Sequence, residues 1–282
     1  MKYKTSLWIK RIFLVLIGCV SVIALWTILS EGNAVTAPKG EKAPLEEILQ
    51  KETLREEDYA LLWEQTGLGR SAVDELWQRE DRTGQLYREQ NRFFHAPVYQ
   101  CRELTGFVKV EVIGSPDDYY RLYDLRPGDV LLTKSTHTFG YRHGHSALYI
   151  GNGELLEATE IGEPVSVTEA AYWGSYPAGI HLRLTEEAAA ETGMSREEAG
   201  LFVAEYAKTN LLDDKYRLTA GLLNDGIEEN ETQCAHLIWA AFQSVGIDVS
   251  SRDFPVTPHS LLESGKFEVI RYWGFDPEEI DW

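Results

Sequence analysis

Apolar positions along the chain fall into three regimes. From Ile12 to Leu29 almost every residue is apolar. Between residues 45 and 95 apolar residues recur at helical spacing, and from Leu104 onward short alternating runs take over. The helical stretch predicts one helix over Leu54 to Gln65, with Tyr59, Leu62 and Trp63 on one face and Gly67 just past its end. Ser71 with Asp74 three residues later predicts the start of a second, carrying Val73, Leu76 and Trp77 inward and running on to about Gln90. The alternating part predicts strands over Gly106 to Ile113, Val130 to Leu132, His145 to Ile150, Glu154 to Ala158, Val165 to Val167 and Ile180 to Leu184. Pro127-Gly128-Asp129 reads as a turn, and Asn152-Gly153 as a tight hairpin turn. Ser195 with Glu198 caps a helix reaching about Lys208, and Cys234 to Val245 is a last helix closed by Gly246. Strands followed by helices predict an α+β fold with an antiparallel sheet.

The N-terminal run of about 18 residues would span about 27 Å as a helix, close to a bilayer core of about 30 Å. Lys2, Lys4, Lys10 and Arg11 precede it and Glu31 is the first charge after it. This pattern predicts a single-pass anchor in the cell membrane, with a cytoplasmic N-terminus and the remaining chain outside. A cleaved signal ending at Gly32-Asn33-Ala34 and a lipoprotein box at Leu16-Ile17-Gly18-Cys19 are the alternatives. Residues 31–44 read as a linker. The expected organisation is an anchor or signal segment with linker over 1–35, a helical segment over 36–100 and the main domain over 101–282.

Composition adds exclusions. Charged residues are 26% and hydrophobic residues 44%, which places the chain among ordinary globular proteins rather than disordered ones. A net charge of −18 argues against nucleic acid as a partner, because phosphate binding needs clustered Lys and Arg. Of the three cysteines, Cys19 lies in the apolar run; Cys101 and Cys234 are too few for a disulfide framework, although one bridge between them stays open.

Cys234 carries the strongest chemical signal. Apolar residues at 237, 238, 241, 242 and 245 mark a buried helical stripe, which puts Cys234 in the first turn of its helix. Unsatisfied N–H groups and the helix dipole there stabilise a thiolate and can hold a developing oxyanion. A nucleophilic thiol needs a base within reach, and His145 opens a strand after Arg142-His143-Gly144. Glu157, on the return strand of the Asn152-Gly153 hairpin, is the candidate to orient that imidazole. With a two-residue loop, 151 pairs with 154 and 148 with 157, about three residues along from His145. The competing readings are a buried structural cysteine and an exposed edge carboxylate. His137, His143 and His145 have no Cys or carboxylate completing a zinc spacing, so no metal is expected. His236 lies two residues from Cys234 and points elsewhere; His95, His181 and His259 have no partners legible in the sequence.

The runs Leu125-Arg126-Pro127-Gly128-Asp129-Val130, Gly144-His145-Ser146-Ala147-Leu148-Tyr149, Leu156-Glu157-Ala158, Cys234-Ala235-His236-Leu237-Ile238-Trp239 and Val256-Thr257-Pro258 occur in a telling order. This order resembles the permuted papain-like amidases of the YiiX/YaeF type, related to the NlpC/P60 cell-wall peptidases, over residues 105–270. The resemblance implies a permuted papain-like antiparallel sheet packed against helices, in addition to the N-terminal helical segment and one transmembrane helix. It carries over Cys234 as nucleophile, His145 as base and Glu157 as the orienting residue. Tyr216 matches a substrate-side tyrosine loosely. Gln233 and Ala235 depart from the tyrosine and serine common at those places. The implied activity is cysteine hydrolysis of an amide or ester in a cell-wall peptide or other cell-surface acyl compound, through a thioester and without a cofactor. A membrane-proximal lipid acyl hydrolase or acyltransferase, and a non-catalytic wall-binding module, are the rival expectations.

Overall fold

The structure, a computed structural model, describes residues 2–30, 38, 40–95, 109–110, 112–113, 119–122, 124–137, 142–217, 219–220, 230–251 and 255–274. Its helices are α1 (Lys2–Ser30), α2 (Glu46–Leu49), α3 (Glu56–Thr66), α4 (Arg70–Trp77), α5 (Arg82–Phe94), α6 (Ala170–Trp173), α7 (Glu186–Ala190), α8 (Arg196–Asn210), α9 (Cys234–Gln243) and α10 (Pro258–Leu262). The strands are β1 (Lys109–Val110), β2 (Val130–Thr133), β3 (Thr136–His137), β4 (His145–Gly151), β5 (Glu154–Glu157), β6 (Ser166–Glu169), β7 (Gly179–Leu184), β8 (Lys215–Tyr216), β9 (Glu231–Thr232) and β10 (Phe267–Trp273). Half of the strand expected over Gly106 to Ile113, most of the linker, and Cys101 lie outside the described residues.

Six strands form one antiparallel sheet in the order β10-β7-β2-β4-β5-β6, and the fold is α+β. One face carries Val130, Leu132, Leu148, Leu156, Ile180 and Leu182 and is covered by α8 and α9. The other carries Leu131, Ala147, Tyr149 and Leu155 and packs on Trp173 and Tyr176. With both faces covered, β2 reads as a continuous apolar run instead of an alternating one. Asp129, the last residue of the Pro-Gly-Asp turn, ties β2 to β7: its carboxylate accepts from Arg183 Nε at 2.9 Å and lies 2.7 Å from His181 Nε2. That supplies the partner which the sequence leaves unnamed for His181.

The second helix differs from expectation. It begins at Arg70 after Gly69, breaks after Trp77 and resumes at Arg82. Ser71 is not its cap; its hydroxyl donates to Glu268 Oε2 at 2.6 Å. The reason lies in β10, a strand not foreseen from the sequence. Gly69 N–H donates to Ile270 O and Tyr272 N–H to Gly67 O, each at 2.9 Å, so the α3–α4 corner runs against the sheet edge. A Cβ at Gly69 would stand 1.9 Å from Val269 O, and one at Gly67 2.1 Å from Tyr272 O; glycine alone permits this approach. Trp63 and Phe93 pack on Tyr272, and the Glu89 carboxylate pairs with the buried Arg271 guanidinium. The helical segment therefore closes the β10 edge.

The expected transmembrane helix is corrected. α1 is continuous from Lys2 to Ser30, but among the described residues no helix is long and apolar enough to cross a membrane.

Removing the carboxylate that faces a buried guanidinium is costly. Glu89→Ala is expected to lower unfolding free energy by about 3–5 kcal/mol, measured by urea denaturation, whereas Glu57→Ala, on the exposed side of α3, should leave it within about 0.5 kcal/mol.

Candidate active site

The site is assembled at one end of β4. Cys234 is the first residue of α9, after Gln233 in extended conformation. Gln233 caps the helix with its side chain: Oε1 accepts the Ala235 N–H at 3.0 Å while Nε2 donates to Val256 O at 2.7 Å. Gln233 thus fixes the mouth of the helix. The Cys234 thiol is buried, takes part in no disulfide, and donates to Gln233 Oε1 at 3.4 Å. The Cys234 backbone N–H opens the helix, where it lacks an intrahelical acceptor.

His145 opens β4, following Gly144 at φ +70°, and its ring stacks on Trp173 with centroids 5.6 Å apart. Nε2 lies 2.8 Å from Glu157 Oε2. The other ring nitrogen is left for the Cys234 sulfur, close enough that each group shifts the titration of the other.

Glu157 reaches His145 through a feature of the hairpin. Asn152 and Gly153 both have positive φ, 57° and 80°, and Gly151 pairs with Glu154 as expected. The register then shifts between Tyr149 and Gly151, so Leu148 pairs with Leu156, not with Glu157. Directly paired residues share a face of the sheet, and a shift of one residue exchanges the faces. Glu157 consequently lies on the face of Leu155 and Tyr149, the same face as His145; in the expected register it would have pointed to the opposite side. On β6, Thr168 pairs with Leu155 and its hydroxyl donates to Glu157 Oε1.

All three groups are buried, and pairing decides their charge. For Cys234, burial pushes the thiol up, but the neighbouring His145 ring brings it below the ordinary range, assisted by Ser146. For His145, burial works against the charged ring, yet Cys234 and Glu157 outweigh it and its pKa is pushed up to about 10. Burial raises the Glu157 carboxyl, while His145, Thr168 and the nearby Trp173 indole hold it below its usual value. The arrangement favours a thiolate, an imidazolium and a carboxylate together.

Tyr216, on β8 beside β9, lies within electrostatic reach of Cys234; its phenol is pushed up first by burial and then by that sulfur. His236 points away, with Nδ1 3.2 Å from Thr232 Oγ1, and burial holds its pKa down at about 4. His143 has Nδ1 2.8 Å from Gly144 O, and its pKa is lowered by burial. Among the described residues no group of three His, Cys, Asp or Glu side chains could hold a metal ion. Thr168, Trp173, Ser146 and the capping role of Gln233 escape sequence reasoning. Only Ser146 and Gln233 carry a local signal, as direct neighbours of His145 and Cys234.

No protein-family model matches the chain, and no curated protein matches it.

A ring with its pKa raised to about 10 keeps its proton through neutral pH and loses it as pH rises through that value. In an NMR titration the His145 ring is expected to titrate near pH 10 and to move toward about 6.5 in both Glu157→Gln and Cys234→Ala. A native midpoint at the ordinary imidazole value would refute the ion pair.

Proposed function

We propose that this protein is a cysteine hydrolase that cleaves an amide or ester bond through a thioester acyl-enzyme. The observation that carries the reading is the convergence of Cys234, His145 and Glu157, with His145 2.8 Å from the carboxylate and in electrostatic contact with the thiol. A merely structural buried cysteine has no need of an imidazole–carboxylate pair directed at its sulfur.

The Cys234 thiolate attacks the acyl carbonyl and forms a C–S bond. The carbonyl electron pair moves to oxygen, and the Cys234 backbone N–H at the start of α9 stabilises the resulting oxyanion. The His145 imidazolium then passes its proton to the leaving amine or alkoxide as the C–N or C–O bond breaks. Neutral His145 next takes a proton from water, whose oxygen attacks the thioester; the carbonyl reforms and the thiolate leaves. Glu157, held by Thr168, keeps the imidazole oriented and favours its charged form. Tyr216 borders the sulfur from the β8 side and is a candidate contact for the acyl group. This chemistry requires no cofactor.

The resemblance to permuted papain-like amidases supports a cell-wall peptide, or another cell-surface acyl compound, as the substrate class. The net charge of −18 is unfavourable for nucleic-acid substrates.

Incubation with purified peptidoglycan is expected to release peptide fragments, and incubation with phospholipid vesicles to release no fatty acid. Cys234→Ala should reduce turnover by at least about a thousandfold, with the melting temperature of the protein unchanged. Retention of turnover in that variant would end the nucleophile assignment, and fatty-acid release alone would move the substrate to lipid.

A further inference from the structure

Ser146 follows the base on β4, and strand alternation turns its side chain to the face opposite His145. That face lies under α9, whose first residue is Cys234. Ser146 is fully buried, and its Oγ has no hydrogen-bond partner. Buried hydroxyls are rarely left unpaired, and one that is calls for a reason. The neighbour with which it interacts is the Cys234 thiol, at the start of the helix covering this face, which Ser146 helps to hold below its ordinary range.

The geometry of the strand end makes this convergence feasible. The β4–β5 ladder runs from Gly151 back to Leu148, so His145 and Ser146 extend beyond it. There the sulfur meets one strand from two sides: the imidazole on one face, the hydroxyl on the other, and the N–H between them. While the sulfur is protonated it donates to Gln233 Oε1 and is a weak acceptor. When its proton has passed to His145, the sulfur carries a full charge and becomes a strong one. The S–H bond breaks, the imidazole N–H bond forms, and the serine O–H only turns toward the sulfur.

We propose that Ser146 is a thiolate-stabilising catalytic residue, its hydroxyl donating to Cys234 Sγ once the proton has moved to His145. The assignment rests on Cys234 as nucleophile and is independent of the substrate. Together with its own backbone N–H and His145, the hydroxyl completes a three-donor cradle around the charged sulfur. The alternative is that serine is simply a small residue filling the core beneath α9.

The test is the pH dependence of iodoacetamide alkylation in the full chain, with modification at Cys19, Cys101 and Cys234 quantified separately by peptide mass analysis. Ser146→Thr and Ser146→Val have nearly equal volume and differ in the hydroxyl, so packing affects them alike. Ser146→Ala and Ser146→Val are each expected to raise the Cys234 midpoint by about one pH unit, roughly a tenfold loss of rate on the acid side, and Ser146→Thr to keep the native midpoint. Equal midpoints in the Thr and Val variants would overturn the proposal while Cys234 still outpaces Cys101. Slow alkylation of native Cys234, no faster than Cys101 at any pH, would instead overturn the nucleophile assignment beneath it.

Discussion

A single extra residue in the β4–β5 hairpin determines whether the site exists. The register shift between Tyr149 and Gly151 transfers Glu157 from one face of the sheet to the other. Without it, the carboxylate would face the layer containing Leu148 and Leu156, among α8 and α9, and His145 would have no acceptor. Such an unpaired carboxylate in an apolar layer would be protonated or destabilising. Bulges near functional sites re-aim side chains at the cost of a ladder position, and here the re-aimed side chain is the anchor of the base.

From that anchor follows a chain of dependent charges. Burial opposes the ionised form of Cys234, His145 and Glu157 alike. Each ionises only because its neighbour does, so the three behave as a unit and their titrations belong to the group. Thr168 extends the dependence to β6, because its hydroxyl occupies the Glu157 oxygen that His145 leaves open. Trp173 covers the imidazole and keeps water from the His145–Glu157 bond. Thus β5 and the edge strand β6 supply the electrostatic support of a sulfur at the start of α9.

Much of this was legible locally. The apolar stripe of α9 located Cys234 at a helix start, the Asn-Gly pair located the hairpin, and Ser195 with Glu198 located a capped helix whose capping box is present. Local patterns did not contain the register shift, because Ile150 continues the apolar run of β4 and nothing in its identity distinguishes a bulged residue from a paired one. β10 was missed for a related reason: Phe267–Trp273 has Arg271 amid its apolar residues, and that arginine is tolerated only because Glu89 arrives from a helix far away in the chain. The apolar count at the N-terminus overreached in the other direction: the run is helical, but among the described residues no helix is long and apolar enough to cross a membrane.

The two edges of the sheet have separate tasks, and that resolves the place of the helical segment. α3, α4 and α5 meet β10, while Glu157 and Thr168 lie on β5 and β6 at the other end of the strand order. Contacts from the helices go inward as charges: Glu75 to Arg183 on β7 at 3.5 Å and Glu89 to Arg271 on β10. Arg183 in turn binds Asp129 at the start of β2, the strand that pairs with β4 and holds Thr133 opposite His145. Among the described residues, the contacts of the helical segment run to β7 and β10. Loss of Glu89 would leave the buried Arg271 guanidinium against β10 unpaired, whereas Arg183 would keep Asp129. A segment in that position stabilises the platform on which β4 presents its base, and its effect on chemistry is bounded by how rigidly four paired residues of β2, Val130 to Thr133, transmit displacement to β4.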